Sequence, residues 1–270
     1  GDATGDTLTD IENLNGSAFN DTLRGDNNNN VIEAAAGDDT LRGSGGNDVL
    51  DGGAGNDTVD YSTLGFANAI TLTLNGATDA TMGSAKGSDT LRNIENVIGS
   101  EGHDVVTGDA NINRLEGGLG NDTLTEVGGN DSLFGQDGDD TLVMANDGSL
   151  VDGGTSSGGD TLELSGNNSF TLDEINVVDI ECIDALADAG QQDIYLSINN
   201  DILNNDTDDL SIYLDGNDTL DINFETAGYY LSSGDLLSSG TANFTDGSHN
   251  ITITYTGTAA GRITTTNAVT

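Results

Sequence analysis

A nine-residue period constrains this chain more than any other feature. Set in rows of nine, residues 16–60 read GSAFNDTLR, GDNNNNVIE, AAAGDDTLR, GSGGNDVLD and GGAGNDTVD. Residues 99–152 read GSEGHDVVT, GDANINRLE, GGLGNDTLT, EVGGNDSLF, GQDGDDTLV and MANDGSLVD, and an eleven-residue row, GGTSSGGDTLE, ends at Glu163. The eighth position, or its equivalent in the longer row, is Leu23, Ile32, Leu41, Leu50, Val59, Val106, Leu115, Leu124, Leu133, Leu142, Val151 and Leu162. All twelve are aliphatic. The sixth position is Asp in nine rows and Asn30, Asn113 or Ser149 in the other three.

Such a row predicts a glycine-rich turn followed by a three-residue strand whose middle side chain points inward. Two rows close one coil, and coils stack as parallel strands. One inward aliphatic per half-coil makes a thin core, and ordering a glycine-rich chain is costly. The 47 acids against 6 bases, a net charge of −41, add self-repulsion to that cost unless cations neutralise it. The same charge excludes nucleic acid as a partner. Composition alone would fit a disordered acidic tail; the period argues against one.

A cation supplies the missing term. Turn carbonyls turned outward by glycine, with an Asp carboxylate from each of two stacked turns, form an all-oxygen cage that suits calcium rather than zinc or copper. The candidate ligands are Asp21, Asp39, Asp48, Asp57, Asp104, Asp122, Asp131, Asp140 and Asp160, with turn glycines Gly37, Gly52, Gly55, Gly117, Gly120 and Gly138. Successive rows alternate edges, so ions are shared between rows two apart. That pairs Asp21 with Asp39, Asp39 with Asp57, Asp104 with Asp122, Asp122 with Asp140, and Asp140 with Asp160 along one edge. The other edge pairs Asn30 with Asp48, Asn113 with Asp131 and Asp131 with Ser149, each short of one carboxylate. The Asp–Asp pairs are expected to fill first.

The pattern resembles the RTX (repeats-in-toxin) family, whose nonapeptide G-G-x-G-x-D-x-U-x forms a calcium-bound parallel β-roll. Gly52, Gly53, Gly55, Asp57 and Val59 match every defined position, as do Gly117, Gly118, Gly120, Asp122 and Leu124. Phe19, Asn28, Asn111 and Asp147 replace the fourth-position glycine, which speaks against a tight turn in those rows. The resemblance implies type I secretion to the outside through a C-terminal signal.

A larger duplication overlies the small one. The segment DTLTDIENLNGSAFNDTLRGDNNNNVIE from Asp6 aligns without gaps with DTLRNIENVIGSEGHDVVTGDANINRLE from Asp89. Residues 61–98 therefore read as a recurring insert between repeat blocks 16–60 and 99–163, and the chain as part of a longer array. Beyond Glu163 the period becomes two, in DIYLSI, LSIYLDG, TLDINF and ITITYT, which predicts strands. The expected architecture is all-β: an RTX β-roll over 1–163, then a β-rich C-terminal cap or continued solenoid over 164–270. The I-E-x-I-D element at 180–184 and the later D-I-L also resemble the segment that follows RTX repeats in giant adhesins. No apolar run is long enough to span a membrane.

Catalytic chemistry finds no support. Gly154-Thr155-Ser156-Ser157-Gly158 fits G-x-S-x-G, but it lies in a repeat turn rather than between a strand and a helix. His103 fills a variable turn position, His249 precedes a strand, and H-E-x-x-H is absent. The single cysteine, Cys182, sits in an apolar alternation and reads as an inert buried thiol. The favoured function is a secreted calcium-binding module of a bacterial surface layer or adhesin, not an enzyme. Calcium is its ligand, and self-association or a cell-surface polysaccharide its further partner. An alternative is the calcium-dependent secretion and folding tail of a hydrolase whose catalytic domain lies upstream. Ice or glycan binding is a third, disfavoured by the lack of a regular outward Thr array.

Overall fold

The computed structural model describes residues 12–165, 169–172, 177–185, 193–198, 210–214, 219–224, 230–233, 240–245, 250–255 and 263–266. The expectations for His249, for the D-I-L element at 201–203 and for the duplication before residue 12 lie outside them.

Six three-residue strands come first: β1 (Asn13–Asn15), β2 (Thr22–Arg24), β3 (Val31–Glu33), β4 (Thr40–Arg42), β5 (Val49–Asp51) and β6 (Thr58–Asp60). The insert adds β7 (Thr71–Thr73), β8 (Ala80–Ser84) and β9 (Gly87–Arg92). The insert ends with β10 (Asn96–Ile98), and the second block follows with β11 (Val105–Thr107), β12 (Arg114–Leu119), β13 (Thr123–Thr125), β14 (Ser132–Asp137), β15 (Thr141–Met144), β16 (Leu150–Thr155) and β17 (Thr161–Leu164). Beyond it lie β18 (Ser169–Leu172), β19 (Val177–Val178), β20 (Cys182–Asp184), β21 (Asp193–Ile198), β22 (Leu210–Leu214) and β23 (Thr219–Phe224). The last four are β24 (Tyr230–Ser233), β25 (Gly240–Thr245), β26 (Asn250–Tyr255) and β27 (Ile263–Thr266). The described residues contain no helix.

Rows alternate between two sheets, and each strand pairs in parallel with the one a coil later. Leu23 thus faces Leu41 and Val106 faces Leu124. The eighth-position side chains from Ile32 to Leu162 are fully buried between the sheets; Leu23, near the start, is only half-buried. This is the parallel β-roll that the period predicts.

The insert departs from the alternation. In the second sheet β10 stacks directly on β6. In the first sheet the order is β5-β9-β8-β7-β11, with β8 antiparallel to both neighbours. The chain thus leaps forward to β7, meanders back to β5 and only then resumes coiling. A regular coil would place one strand there, so the first sheet is wider by two strands, about 10 Å at the usual spacing. The thin aliphatic ladder cannot fill that wedge. Larger side chains do: Tyr61, Ile70, Leu72, Met82, Leu91 and Ile94 are all buried there.

The two repeat blocks use opposite edges. Asp21, Asp39 and Asp57 lead into β2, β4 and β6 of the second sheet, whereas Asp104, Asp122, Asp140 and Asp160 lead into β11, β13, β15 and β17 of the first. The expectation that these seven share one edge is therefore corrected. The insert crosses to β7–β9 and back to β10, one whole coil, so alternation continues and the odd count of five rows in the first block puts the next row in the opposite sheet.

The first sheet continues past residue 163 without a break. Leu162, Ile183, Ile212 and Ile253 stand opposite one another through β17, β20, β22 and β26, all parallel and all buried. Strands β18, β21, β23 and β27 form a separate four-stranded parallel sheet. Cys182 is half-buried rather than enclosed, and burial raises its thiol pKa.

Tight stacking makes the turn glycines testable. A Cβ on Gly138, at φ 159°, would land on the Gly120 carbonyl one coil earlier, while one on Gly83 in β8 would meet nothing within 4 Å. Gly138→Ala should destabilise the calcium-loaded chain by about 2 kcal/mol or more. Gly83→Ala should leave it within about 0.5 kcal/mol of the parent. Denaturant melts of the two variants side by side check both.

Candidate metal centre

The sixth-position residue ends each turn and opens each strand, so its side chain arrives at the roll's edge at a fixed height in every coil. The backbone amide of one such residue donates to Oδ1 of the next, one coil on. The distance is 2.7 Å from Asp21 to Asp39 and from Asp104 to Asp122, and 2.8 Å from Asn30 to Asp48 and from Asp39 to Asp57. It is 2.8 Å from Asn113 to Asp131, and 2.7 Å from Asp122 to Asp140 and from Asp140 to Asp160. That occupies one carboxylate oxygen. The other, Oδ2, has no hydrogen-bond partner at Asp39, Asp48, Asp57, Asp122, Asp131, Asp140 and Asp160. None of these seven residues is more than 2% exposed. Buried carboxylate oxygens without partners are costly, and seven at one repeat position indicate a missing common ligand.

The turn backbone explains which rows have this property. The fourth-position glycines Gly37, Gly46, Gly55, Gly120, Gly129 and Gly138 all have positive φ, and the eleven-residue row has Gly159 with positive φ beside Asp160. The second position is also left-handed at Ala35, Ser44, Gly53, Gly118, Gln136 and Gly154. In four of the five rows without a left-handed fourth residue, all but that of Asp147, the second-position amide instead donates to the sixth-position side chain. Ser17 donates to Asp21, Asp26 to Asn30, Ser100 to Asp104 and Asp109 to Asn113. These turns cap themselves. Phe19, Asn28 and Asn111 mark three of them, as their missing glycines suggested; Gly102 in the fourth has a glycine that stays out of the left-handed region. Asp21 and Asp104 thus differ from the other seven aspartates of the candidate set.

First-position glycines make room for the ladder carboxylates. A Cβ on Gly52 or Gly117 would collide with Oδ2 of the row's own Asp57 or Asp122, and the Gly135 carbonyl lies 2.8 Å from the Gly117 position. The nearest oxygens there are the row's own carboxylate Oδ2 and a backbone carbonyl from the next coil, of Asn93 beside Gly52 and of Gly135 beside Gly117. No three His, Cys, Asp or Glu side chains cluster among the described residues. A cation in that space would therefore draw the rest of its shell from backbone carbonyls, as calcium readily does.

Burial raises the pKa of six of these carboxyls, with neighbouring acids adding to the effect. It pushes Asp122 up to about 8, Asp48 and Asp160 to about 7, and Asp57, Asp131 and Asp140 to about 6. A divalent cation would reverse the sign of that environment.

Four acids in the ladders escape the nonapeptide reading. Asp89 Oδ1 accepts the Asp48 amide at 3.0 Å, and Glu95 Oε2 accepts that of Asp57 at 2.9 Å. Glu181 Oε2 accepts the Asp160 amide at 2.5 Å. Glu126, at a first position, reaches a turn that lacks a sixth-position Asp and accepts from the Ala145 and Asn146 amides and the Ser149 hydroxyl. That turn is filled by the chain's own carboxylate. Asp89 alone carried a readable signal, since Gly87-x-Asp89-x-Leu91 keeps the repeat spacing.

No catalytic group assembles among the described residues. Ser156 lies in the turn between β16 and β17. His103 accepts the Asn121 amide at its Nδ1 and stacks edge-on against Phe66.

Comparison with known proteins agrees with this geometry. Residues 6–41, 34–62, 93–125 and 128–143 match the family described as RTX calcium-binding nonapeptide repeat (4 copies). No curated protein matches the chain. Among solved structures, the extracellular lipase LipA from Serratia marcescens is similar over 92% of this chain at 17% identity, with a TM-score of 0.28. The chain spans 38% of that lipase's length, and the likeness is too remote to argue from. Residues 6–62, 93–125 and 128–143 of this chain are RTX nonapeptide repeats, and the ion that those repeats bind is calcium.

Proposed function

We propose that this chain is a secreted, calcium-binding structural module of a bacterial cell-surface protein that folds on meeting calcium outside the cell. The observation that carries the reading is the double ladder of buried, partnerless Oδ2 atoms at Asp39, Asp48, Asp57, Asp122, Asp131, Asp140 and Asp160. These seven hold calcium with the carbonyls of the facing turns, Gly37, Gly52, Gly55, Gly117, Gly120 and Gly138 among them. Asp21 and Asp104 stand one coil before Asp39 and Asp122 and hydrogen-bond to them. Extracellular modules of this chemistry take calcium at about 10⁻⁴–10⁻³ M, far above cytosolic levels. The chain would then stay exportable inside and fold outside. Its partners in that setting are further copies of the chain or a surface polysaccharide.

Antibody labelling of intact producing cells tests the surface assignment. The chain should be cell-bound and released by chelator. Recovery from the medium as part of a soluble hydrolase would favour the tail of an enzyme instead. At the level of single sites, Asp122→Asn keeps an oxygen for the Asp104 amide but removes the charge. It should bind at least one calcium fewer by equilibrium dialysis, whereas Asp104→Asn should lose less.

A further inference from the structure

A hairpin in the insert copies a repeat turn. Strand β9 pairs with β5 so that Leu91 faces Leu50, an offset of 41 residues instead of the usual 18. At that offset Gly87 stacks on the Gly46 carbonyl and Asp89 takes the place one coil beyond Asp48. The Ser88 amide donates to Asn47 Oδ1 at 2.9 Å, and the Gly46 amide donates to the Lys86 carbonyl at 3.1 Å. Residues 84–92, SAKGSDTLR, therefore form a nonapeptide turn folded as the end of a hairpin. Asp89 lies outside the residues matched to the repeat family.

Two carboxylates converge at this joint. Asp48 is 1% exposed; its Oδ1 accepts the Asn30 amide at 2.8 Å and its Oδ2 has no hydrogen-bond partner. Asp89 is 2% exposed; its Oδ1 accepts the Asp48 amide and its Oδ2 accepts the Tyr61 hydroxyl at 3.1 Å. A Cβ on Gly43 would collide with Asp48 Oδ2 and stand 3.2 Å from Asp89 Oδ2, so both oxygens border the space that this glycine leaves. Among the described residues the arginine ion pairs go elsewhere, to Asp51, Asp60, Asp79 and Glu116. Two buried acids whose oxygens border one gap match a hard divalent cation.

We propose that Asp48 and Asp89 hold a calcium ion at the joint between the first repeat block and the insert, with the Tyr61 hydroxyl bonded to the same ligand set. The site rests on the calcium reading of the repeats but uses a carboxylate from outside them. It clamps the β8–β9 hairpin to β5, so filling of the first block tightens the insert's contact with it. Tyr61 makes it the site with a built-in reporter.

Terbium, a luminescent ion of calcium's size and chemistry, is the probe. The full chain, stripped of calcium, is titrated with terbium chloride while tyrosine-sensitised emission is followed, and calcium equivalents are counted separately by dialysis. Tyr61→Phe should lose a distinct component of the emission. Asp89→Asn should lose that component together with one calcium equivalent at concentrations that saturate the parent. Asp122→Asn should lose calcium in the second block and keep the Tyr61 component. If Tyr61→Phe emits like the parent, or Asp89→Asn binds as many calcium ions, the joint site is wrong although the repeat sites stand. If the parent takes up neither ion, both this site and the calcium reading fall.

Discussion

Treated with excess chelator at neutral pH, the chain is expected to lose most of its parallel β-structure and to recover it cooperatively as calcium is restored. A site held at tenfold excess over its dissociation constant adds about 1.4 kcal/mol to the native state. Seven such sites, one for each partnerless Oδ2, add roughly 10 kcal/mol by the same relation. The whole stability of a folded domain is typically about 5–15 kcal/mol. Chelation also restores repulsion among buried acids that have no basic partner. The loss should be least in the insert, where Tyr61, Ile70, Leu72, Met82, Leu91 and Ile94 are all buried. Circular dichroism during a calcium titration reads the effect. Magnesium should not substitute, because it demands a smaller, near-octahedral shell and sheds its water reluctantly. Equal structuring by both ions would contradict the account.

Proton competition gives the second large effect. In the calcium-free roll Asp122 is raised to about 8, Asp48 and Asp160 to about 7, and Asp57, Asp131 and Asp140 to about 6, with burial the main cause. In the unfolded chain the same groups titrate near 4. Between roughly pH 4 and pH 8 the folded, calcium-free state therefore binds more protons than the unfolded one, and its stability falls as pH rises through that window. The stripped chain should hold more β-structure at pH 5 than at pH 8. Calcium added near pH 5.5, where the stripped chain holds more structure and these carboxyls are protonated, should release protons, and the calcium concentration at half-folding should fall as pH drops from 8 to 6 because protons and calcium both favour the folded state. Titration calorimetry in two buffers of different ionisation enthalpy measures the release directly. Binding heats that do not depend on the buffer would mean that the sixth-position carboxylates are not the ligands.

The roll itself was legible in the sequence, because one inward side chain per half-coil leaves an unbroken aliphatic column at the eighth position. The sixth-position acids were legible for a similar reason: each sits where a turn becomes a strand. Which edge they occupy was not. The nine-residue period gives the alternation within a block, but the path of residues 61–98 decides which sheet the next row enters. The hairpin turn at 84–92 escaped because Ser84, Ala85 and Lys86 replace the leading glycines, although Gly87, Asp89 and Leu91 keep their places. Glu95 and Glu181 escaped because a longer side chain off the period can reach the same amide as an Asp on it. Self-capping was half-legible. Phe19, Asn28 and Asn111 betray it, but Gly102 does so only through its backbone.

Amide hydrogen exchange, with and without calcium, tests the central claim most directly. The amides of Asp39, Asn113, Asp122 and Asp140 each donate to the carboxylate one coil on, so they report whether that carboxylate is held in place. With calcium they should rank among the slowest to exchange. In excess chelator at neutral pH they should exchange at rates close to those of an unfolded chain, along with most of residues 34–60 and 117–163. If they remain protected there, calcium decorates a roll that stands without it, and calcium-driven folding is wrong for this chain.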